Sequence, residues 1–367
     1  MEERFHELNI ARSRINTKIK KCICEVFNRE DLVEILDILR EKNRLANEED
    51  IKREISDIYR YSYEVIGFKD YEYPRLLKQI EEAPVMLMFN GANEKKDILL
   101  RDCFSVVGSR DLGREDAKII GDVIDVACSI ESVIVSGLAR GSDIIAHIKS
   151  LKSGTIAVMP CGLNKCYPAE HKYFMEKIID CGGAIISDFP TNEPPRQANF
   201  INRNRIITGM SFATFIARAR EIKSGSMSSA NFAKKQGRKI YTYDFSGESA
   251  GNKYLIDNGI AEIVDDLNSF SLSLISDLAE MDMLIEGEEK SLEERNLQSF
   301  QSLFSNGDAE NYEGNVGGDV IKNEILSITK HKNITISESN AVCVLEMCAN
   351  ILQVNKKLLL KAILEMI

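Results

Sequence analysis

No run of about 18 consecutive apolar residues occurs in this 367-residue chain, so no membrane-spanning helix is expected. The opening MEERFHELNIARSRINTK carries basic residues but no apolar stretch behind them, unlike a secretory signal. The nine cysteines are odd in number and scattered. Cys22 and Cys24 form CxC, Cys161 and Cys166 flank a loop, and neither pair has the CxxC spacing of a zinc site. Reduced thiols in a cytoplasmic protein are expected, with no metal and no cofactor. A G-x-S-x-G nucleophile turn and any internal repeat are also lacking. Positive charge is in deficit, 47 Lys and Arg against 57 Asp and Glu, which argues against indiscriminate coating of duplex nucleic acid.

That deficit reverses locally. Residues 196–239 hold ten Lys/Arg against a single acid, Glu221, in a chain whose formal charge is −10. The reversal falls among short loops that leave apolar strands and enter helices, where backbone amides already favour anions. One nucleotide does not need that much positive charge, whereas a strand of nucleic acid does.

Residues 1–66 read as small helices, from the helical spacing of KIKKCICEVFNREDLVEILDILREK and EEDIKREISDIYRYSYEVI. Between Pro84 and an Asn-Gly turn, VMLMF has the pattern of a buried strand. From Phe104 onward FSVVG, VIVSG, TIAVMP, AIISD, FATFIA and KIYTYD alternate with helix-length amphipathic stretches. That alternation implies an α/β core over 67–268, a parallel sheet with helices on both faces. Its ligand would lie outside the carboxyl ends of the strands, where strand order reverses. Residues 280–319 hold eleven acids and two basic residues, and 269–318 reads as a solvated acidic linker. Residues 319–367 return to helical periodicity as a small domain, for which a degenerate winged helix is one form.

Five loops carry the chemistry. VVGSRDLGRED has the G-x-x-x-x-G spacing of a triphosphate loop, but Arg114-Glu115 stands where Lys-Ser/Thr is required, which argues against ATP hydrolysis. Gly108, Ser109 and Arg110 there suit a phosphate, through close backbone approach, a hydroxyl and a forked donor. SGLARGSDIIAH offers Ser136, Gly137, Arg140 and Gly141. Asp143 and His147 follow at i, i+4, which allows a dyad, although a hydrogen-bonded structural histidine is favoured in the absence of a nucleophile signature. CGLNKCYPAEH reads as a structural turn. In NFINRNRIITG, Arg203 and Arg205 diverge by about 200° on a helix, so one faces the groove and the other packs inward or reaches a partner. Asn199 and Asn204 add amide donors there, and Phe200 either stacks on a base or plugs the core. In KSGSMSSANFA, Lys223, Gly225 and Ser226 open a helix as a phosphate cradle.

These motifs, with SDFP, PPRQANF, GRK and SGESAGNKYLIDNGIAEIV in order over residues 70–265, resemble the DNA-processing protein A family, also called DprA or Smf. The resemblance implies an extended Rossmann-like core that binds single-stranded DNA without sequence preference and without catalysis. It further implies a homodimer that delivers RecA recombinase to incoming DNA in natural transformation. Carried over by motif, the DNA pocket comprises Gly108, Ser109, Arg110, Ser136, Gly137, Arg140, Gly141, Asn199, Phe200, Arg203, Asn204, Arg205, Lys223, Gly225 and Ser226. Ser142, His171 and the Met-Ser-Ser-Ala run after Ser226 depart from the family pattern.

Two rival readings share the fold. A nucleotide phosphoribohydrolase of the lysine-decarboxylase-like group needs a carboxylate soon after its phosphate loop, where Met227, Ser228, Ser229 and Ala230 stand here. A mononucleotide sensor would leave most of the arginines without a phosphate. Four phosphate contacts, from Arg110, Arg140, Arg203 and Lys223, would give a log–log salt slope of about −3 for single-stranded DNA.

Overall fold

The computed structural model describes residues 4–27, 32–91, 93–244, 249–305, 325–326, 341, 345 and 356–366. Most of the expected 319–367 domain, its winged-helix character, the end of the linker (306–318) and residues 246–248 of the last motif lie outside these.

Each apolar run of the core becomes a strand: β3 (Cys103–Val107), β4 (Val133–Ser136), β5 (Thr155–Val158), β6 (Ala184–Ser187), β7 (Ser211–Ile216) and β8 (Lys239–Thr242). VMLMF supplies β2 (Met86–Gly91). The outermost strands are β1 (Glu64–Gly67) and β9 (Glu262–Ile263). All belong to one nine-stranded sheet of order β1-β2-β6-β5-β4-β3-β7-β8-β9. From β6 to β9 every neighbouring pair is parallel, while β2 runs antiparallel to both β1 and β6. Every residue of β3 to β7 is buried, as a sheet covered on both faces demands. Two polar residues inside it satisfy each other, Ser105 Oγ lying 2.7 Å from Thr214 Oγ1 across β3 and β7.

A short α5 (Arg75–Gln79) lies between β1 and β2 in the chain, and the covering helices are α6 (Arg114–Ser129), α7 (Ser142–Ser150), α8 (Lys172–Asp180), α9 (Gln197–Gly209), α10 (Gly225–Lys235) and α11 (Ala250–Asp257). α6 shows why these segments coil. Asp116 accepts the Gly113 N–H at its start (2.9 Å), and Ile120, Val123, Ile124 and Ala127 recur on one buried face. From β3 the chain builds β4, β5 and β6 to one side, then returns to lay β7, β8 and β9 on the other. The strand order therefore reverses between β3 and β7, the place where an open α/β sheet receives a ligand.

The chain divides into two compact units, Met1–Ile51 with Asp282–Ile367, and Lys52–Met281, which differs from the four segments expected. β1 falls inside the stretch expected to be helical, where the β-branched Val65 and Ile66 favour a strand. α12 (Leu267–Ser305) replaces the expected linker as far as residue 305. Its buried Phe270, Leu274 and Met281 recur at helical spacing, a face that the surrounding acids obscured. In the unit containing the termini, α1 (Phe5–Arg12), α2 (Thr17–Val26) and α3 (Leu32–Glu41) precede α4 (Glu48–Arg60), which crosses the division. There α13 (Lys356–Met366) packs on α2 and α3, with Lys361 3.1 Å from Glu34. Among the described residues no helix is long and apolar enough to cross a membrane.

Candidate nucleic-acid interface

The carboxyl ends of the parallel strands bring the expected loops to one edge of the sheet. Close backbone approach holds them together. A Cβ on Gly108 would fall 2.4 Å from Ser142 Oγ and 2.9 Å from Arg218 N, so the loops after β3, β4 and β7 meet at that glycine. Gly141 has φ +72°, and a Cβ there would sit 2.3 Å from the Ser109 carbonyl. Ser142, a departure from the family pattern, donates its N–H (3.1 Å) and hydroxyl (3.2 Å) to that same carbonyl.

On this crest Arg110 is exposed, and its guanidinium carbon lies 5.5 Å from the centre of the Phe200 ring. Phe200 is half-buried rather than a core plug, and Tyr167 meets it edge to face at 5.0 Å. Lys223 is exposed beside the start of α10, where Ser224 Oγ lies 3.0 Å from Ser226 Oγ and a Cβ on Gly225 would meet nothing within 4 Å. Ser109 Oγ accepts the Asp111 N–H at 3.1 Å, shaping the β3 turn. Arg140 is exposed and held in a two-pronged ion pair by Glu170, at 2.5 and 2.7 Å.

Other expected contacts lie beneath the crest. Ser136 is fully buried and donates its hydroxyl to the Val106 carbonyl at 2.6 Å. Arg203 is 4% exposed, donates to the Val158 carbonyl at 3.1 Å and stands 4.0 Å from Asp143. Burial pushes the Asp143 carboxyl up despite that neighbour, and pushes the Arg203 guanidinium down, which still leaves a guanidinium charged at neutral pH. Arg205 pairs with Asp188 at 2.7 Å, Asn204 reaches the Gly225 carbonyl at 3.4 Å, and Asn199 the Pro194 carbonyl at 3.4 Å. These four side chains brace α9 against its neighbours. Arg203 and Arg205, expected to diverge with one in the groove, are both buried.

The charge count along the chain does not survive folding. Within 196–239, Arg196 pairs with Glu193, Arg203 with Asp143, Arg205 with Asp188 and Arg218 with Asp116. Arg220 pairs with Asp111, Lys235 with Glu81, and Lys239 with Glu262 and Asp277. Each acid comes from outside the block, so the local excess is largely neutralised. Among the described residues, the cations left to the crest are Arg110 and Lys223, with Arg140 in its ion pair.

The Asp143–His147 pair is structural. Asp143 Oδ2 accepts the N–H groups of Gly137 (3.2 Å) and Ala139 (3.3 Å). His147 Nε2 accepts the Leu138 N–H at 3.3 Å, and Nδ1 lies 2.7 Å from Thr155 Oγ1. Thr155 donates its proton to the Ile134 carbonyl (2.8 Å), so Nδ1 carries the imidazole proton. Burial pushes His147 down to about 3, keeping it neutral. Leu138, with φ +57°, is gripped from the other side by His171, whose Nδ1 donates to its carbonyl at 2.8 Å. Burial also pushes the Cys161 thiol up to about 12, so the loop cysteine is an unreactive thiol.

The sequence model of the family described as DNA recombination-mediator protein A matches residues 64–274. That stretch starts at β1, takes in all nine strands and covers more than half of the chain. The chain belongs to the DNA recombination-mediator protein A family. DNA processing protein DprA of Streptococcus pneumoniae is 36% identical over 192 residues, 51% of this chain and 66% of that protein. Protein Smf of Borreliella burgdorferi is 31% identical over 205 residues, 54% of this chain and 62% of that protein. The chain thus spans less than two thirds of the length of these curated relatives. The X-ray structure of the S. pneumoniae protein superposes with a TM-score of 0.54 at 28% identity, over 69% of this chain and 84% of that one. A structure of DNA processing protein A from Helicobacter pylori, concerned with its single-stranded DNA binding mode, gives 0.52 at 25% identity, over 59% and 96%. Within the family core, sequence reasoning passed over Tyr167 and Glu170 by treating their loop as a structural turn. The signal was an aromatic residue and a carboxylate within four positions of each other at the end of a parallel strand.

Proposed function

We propose that this protein binds single-stranded DNA along the crest without catalysis and without sequence preference. The observation that carries the reading is the Arg110–Phe200–Tyr167 cluster, a cation over a half-exposed ring beside the strand-order reversal. A ring so placed takes the face of an unpaired base while the guanidinium takes its phosphate. Lys223 and the open start of α10 extend the phosphate track. Family membership, and the H. pylori relative's single-stranded DNA binding mode, favour the same ligand.

Acid–base chemistry fits the site poorly. His147 is neutral with both nitrogens engaged, and the Arg140 guanidinium holds the Glu170 carboxyl below the usual carboxylate range. Delivery of a RecA-type recombinase in a transforming cytoplasm rests on family membership alone. A homodimer has one physical support besides: Ile263 on the edge strand β9, with Leu272 and Ile275 of α12, are exposed apolar residues. The test is competition for a labelled oligothymidylate, which unlabelled single strands should win over duplex DNA and over nucleoside monophosphates. Equal competition by duplex or by mononucleotide would remove the reading.

A further inference from the structure

Arg140 meets Glu170 fork to fork, the geometry in which a guanidinium also receives a phosphate. The pair is not needed to fasten its two loops, because His171 already ties the same turn to Leu138 beneath it. Both partners are open to water, at 61% and 52% exposure, where an ion pair contributes little to folding. Yet the pair lies on the crest. Tyr167, three residues before Glu170, meets the Phe200 ring edge to face at 5.0 Å.

We propose that Glu170 is a specificity-determining residue, holding Arg140 as a phosphate would and so setting how long a strand must be before the groove accepts it. The inference rests on the strand-binding reading above. A lone phosphate arriving at Arg140 exchanges one two-pronged anion for another and gains little. A strand already held at Arg110 and Phe200 presents its next phosphates at high local concentration, and it displaces the carboxylate. The displaced Glu170 then stands beside the incoming backbone, so short and monomeric nucleotides are penalised by an unpaired charge they cannot offset.

The test is a double-mutant cycle on the full chain, with Glu170→Gln, Arg140→Gln and the combination. Fluorescence anisotropy reads binding to labelled oligothymidylates of about 6 and about 20 nucleotides. Glu170→Gln should tighten binding of the short oligomer by about two- to fivefold, and of the long one by less. On the Arg140→Gln background the same change should do nothing. Unchanged or weaker binding by Glu170→Gln overturns the inference, as does an equal gain without Arg140. Glu170→Ala run in parallel covers the case in which glutamine goes on hydrogen-bonding Arg140, and melting temperatures confirm that each variant is folded. If wild type binds and the cycle shows no coupling, this inference alone fails. If no protein, wild type included, binds either oligomer, the strand-binding reading falls and takes this one with it.

Discussion

Arg203 lies directly beneath Gly137: a Cβ built on that glycine would fall 1.4 Å from the Arg203 Nη1 and 2.0 Å from its Cζ. A cation read along the sequence as a groove contact is thus the underside of the groove. Gly137→Ala should cost about 1–3 kcal/mol from overpacking, and Arg203→Ala about 3–5 kcal/mol by leaving Asp143 buried without its cation. In the double variant the clash is gone, so its loss in urea unfolding should be smaller than the sum of the two single losses. Strict additivity would contradict the contact. Where Arg203→Met remains folded, the salt slope of oligothymidylate binding should match wild type.

Arg110 and Phe200 separate charge from stacking. Phe200→Ala should weaken binding by about 1–3 kcal/mol and leave the salt slope unchanged, because a base face carries no charge. Arg110→Ala should weaken it for every sequence alike and flatten the slope by about 0.7. Titrations at several salt concentrations distinguish the two. A Phe200 effect that appears only in the slope would contradict the stacking role.

His147 predicts a pH dependence of folding. Its folded value of about 3 lies below the ordinary 6.5, so above pH 6.5 it is neutral in both states and contributes no slope. Below that the unfolded chain takes up a proton that the folded one refuses, and stability falls toward pH 3 by about 1.4 kcal/mol per unit. Asp143, whose folded value is raised, acts in the opposite sense as pH falls through that raised value toward 3.8. The neighbouring cation is Arg203. The difference in unfolding free energy between wild type and His147→Gln should therefore shrink as pH drops from 6.5 to 5. A difference independent of pH would contradict the buried neutral imidazole.

Leu272→Asp with Ile275→Asp should convert a dimer to a monomer in light scattering while leaving the melting temperature near wild type, since both side chains are exposed. A wild-type monomer at micromolar concentration, or a dimer that survives both changes, would remove the proposed edge interface.

The sheet was legible because its strands are short apolar runs buried on both faces, and nothing but a parallel α/β core alternates such runs with amphipathic helices. β9 escaped because two residues leave no periodicity to read, and β1 because Val65 and Ile66 continue the helical spacing of the stretch before them. The site was half legible. Glycine and arginine turns mark where loops meet, and Gly108, Gly141, Arg110 and Phe200 do meet at the crest. Charge density along the chain misled, because the partners of Arg205, Arg218 and Arg220 are Asp188, Asp116 and Asp111, and only folding brings them together. Burial separates Arg110 from Arg203, and burial is not written in a run of seven residues.

In the proposed binding mode the crest takes a strand of phosphates at a few cations and a base at one ring. The most direct measurement is the affinity of the full-length protein for oligothymidylate across a range of salt concentrations. Three phosphate contacts, at Arg110, Arg140 and Lys223, predict a log–log slope of about −2, and nucleoside monophosphate should fail to compete. An affinity indifferent to salt, or lost equally to the mononucleotide, would contradict it.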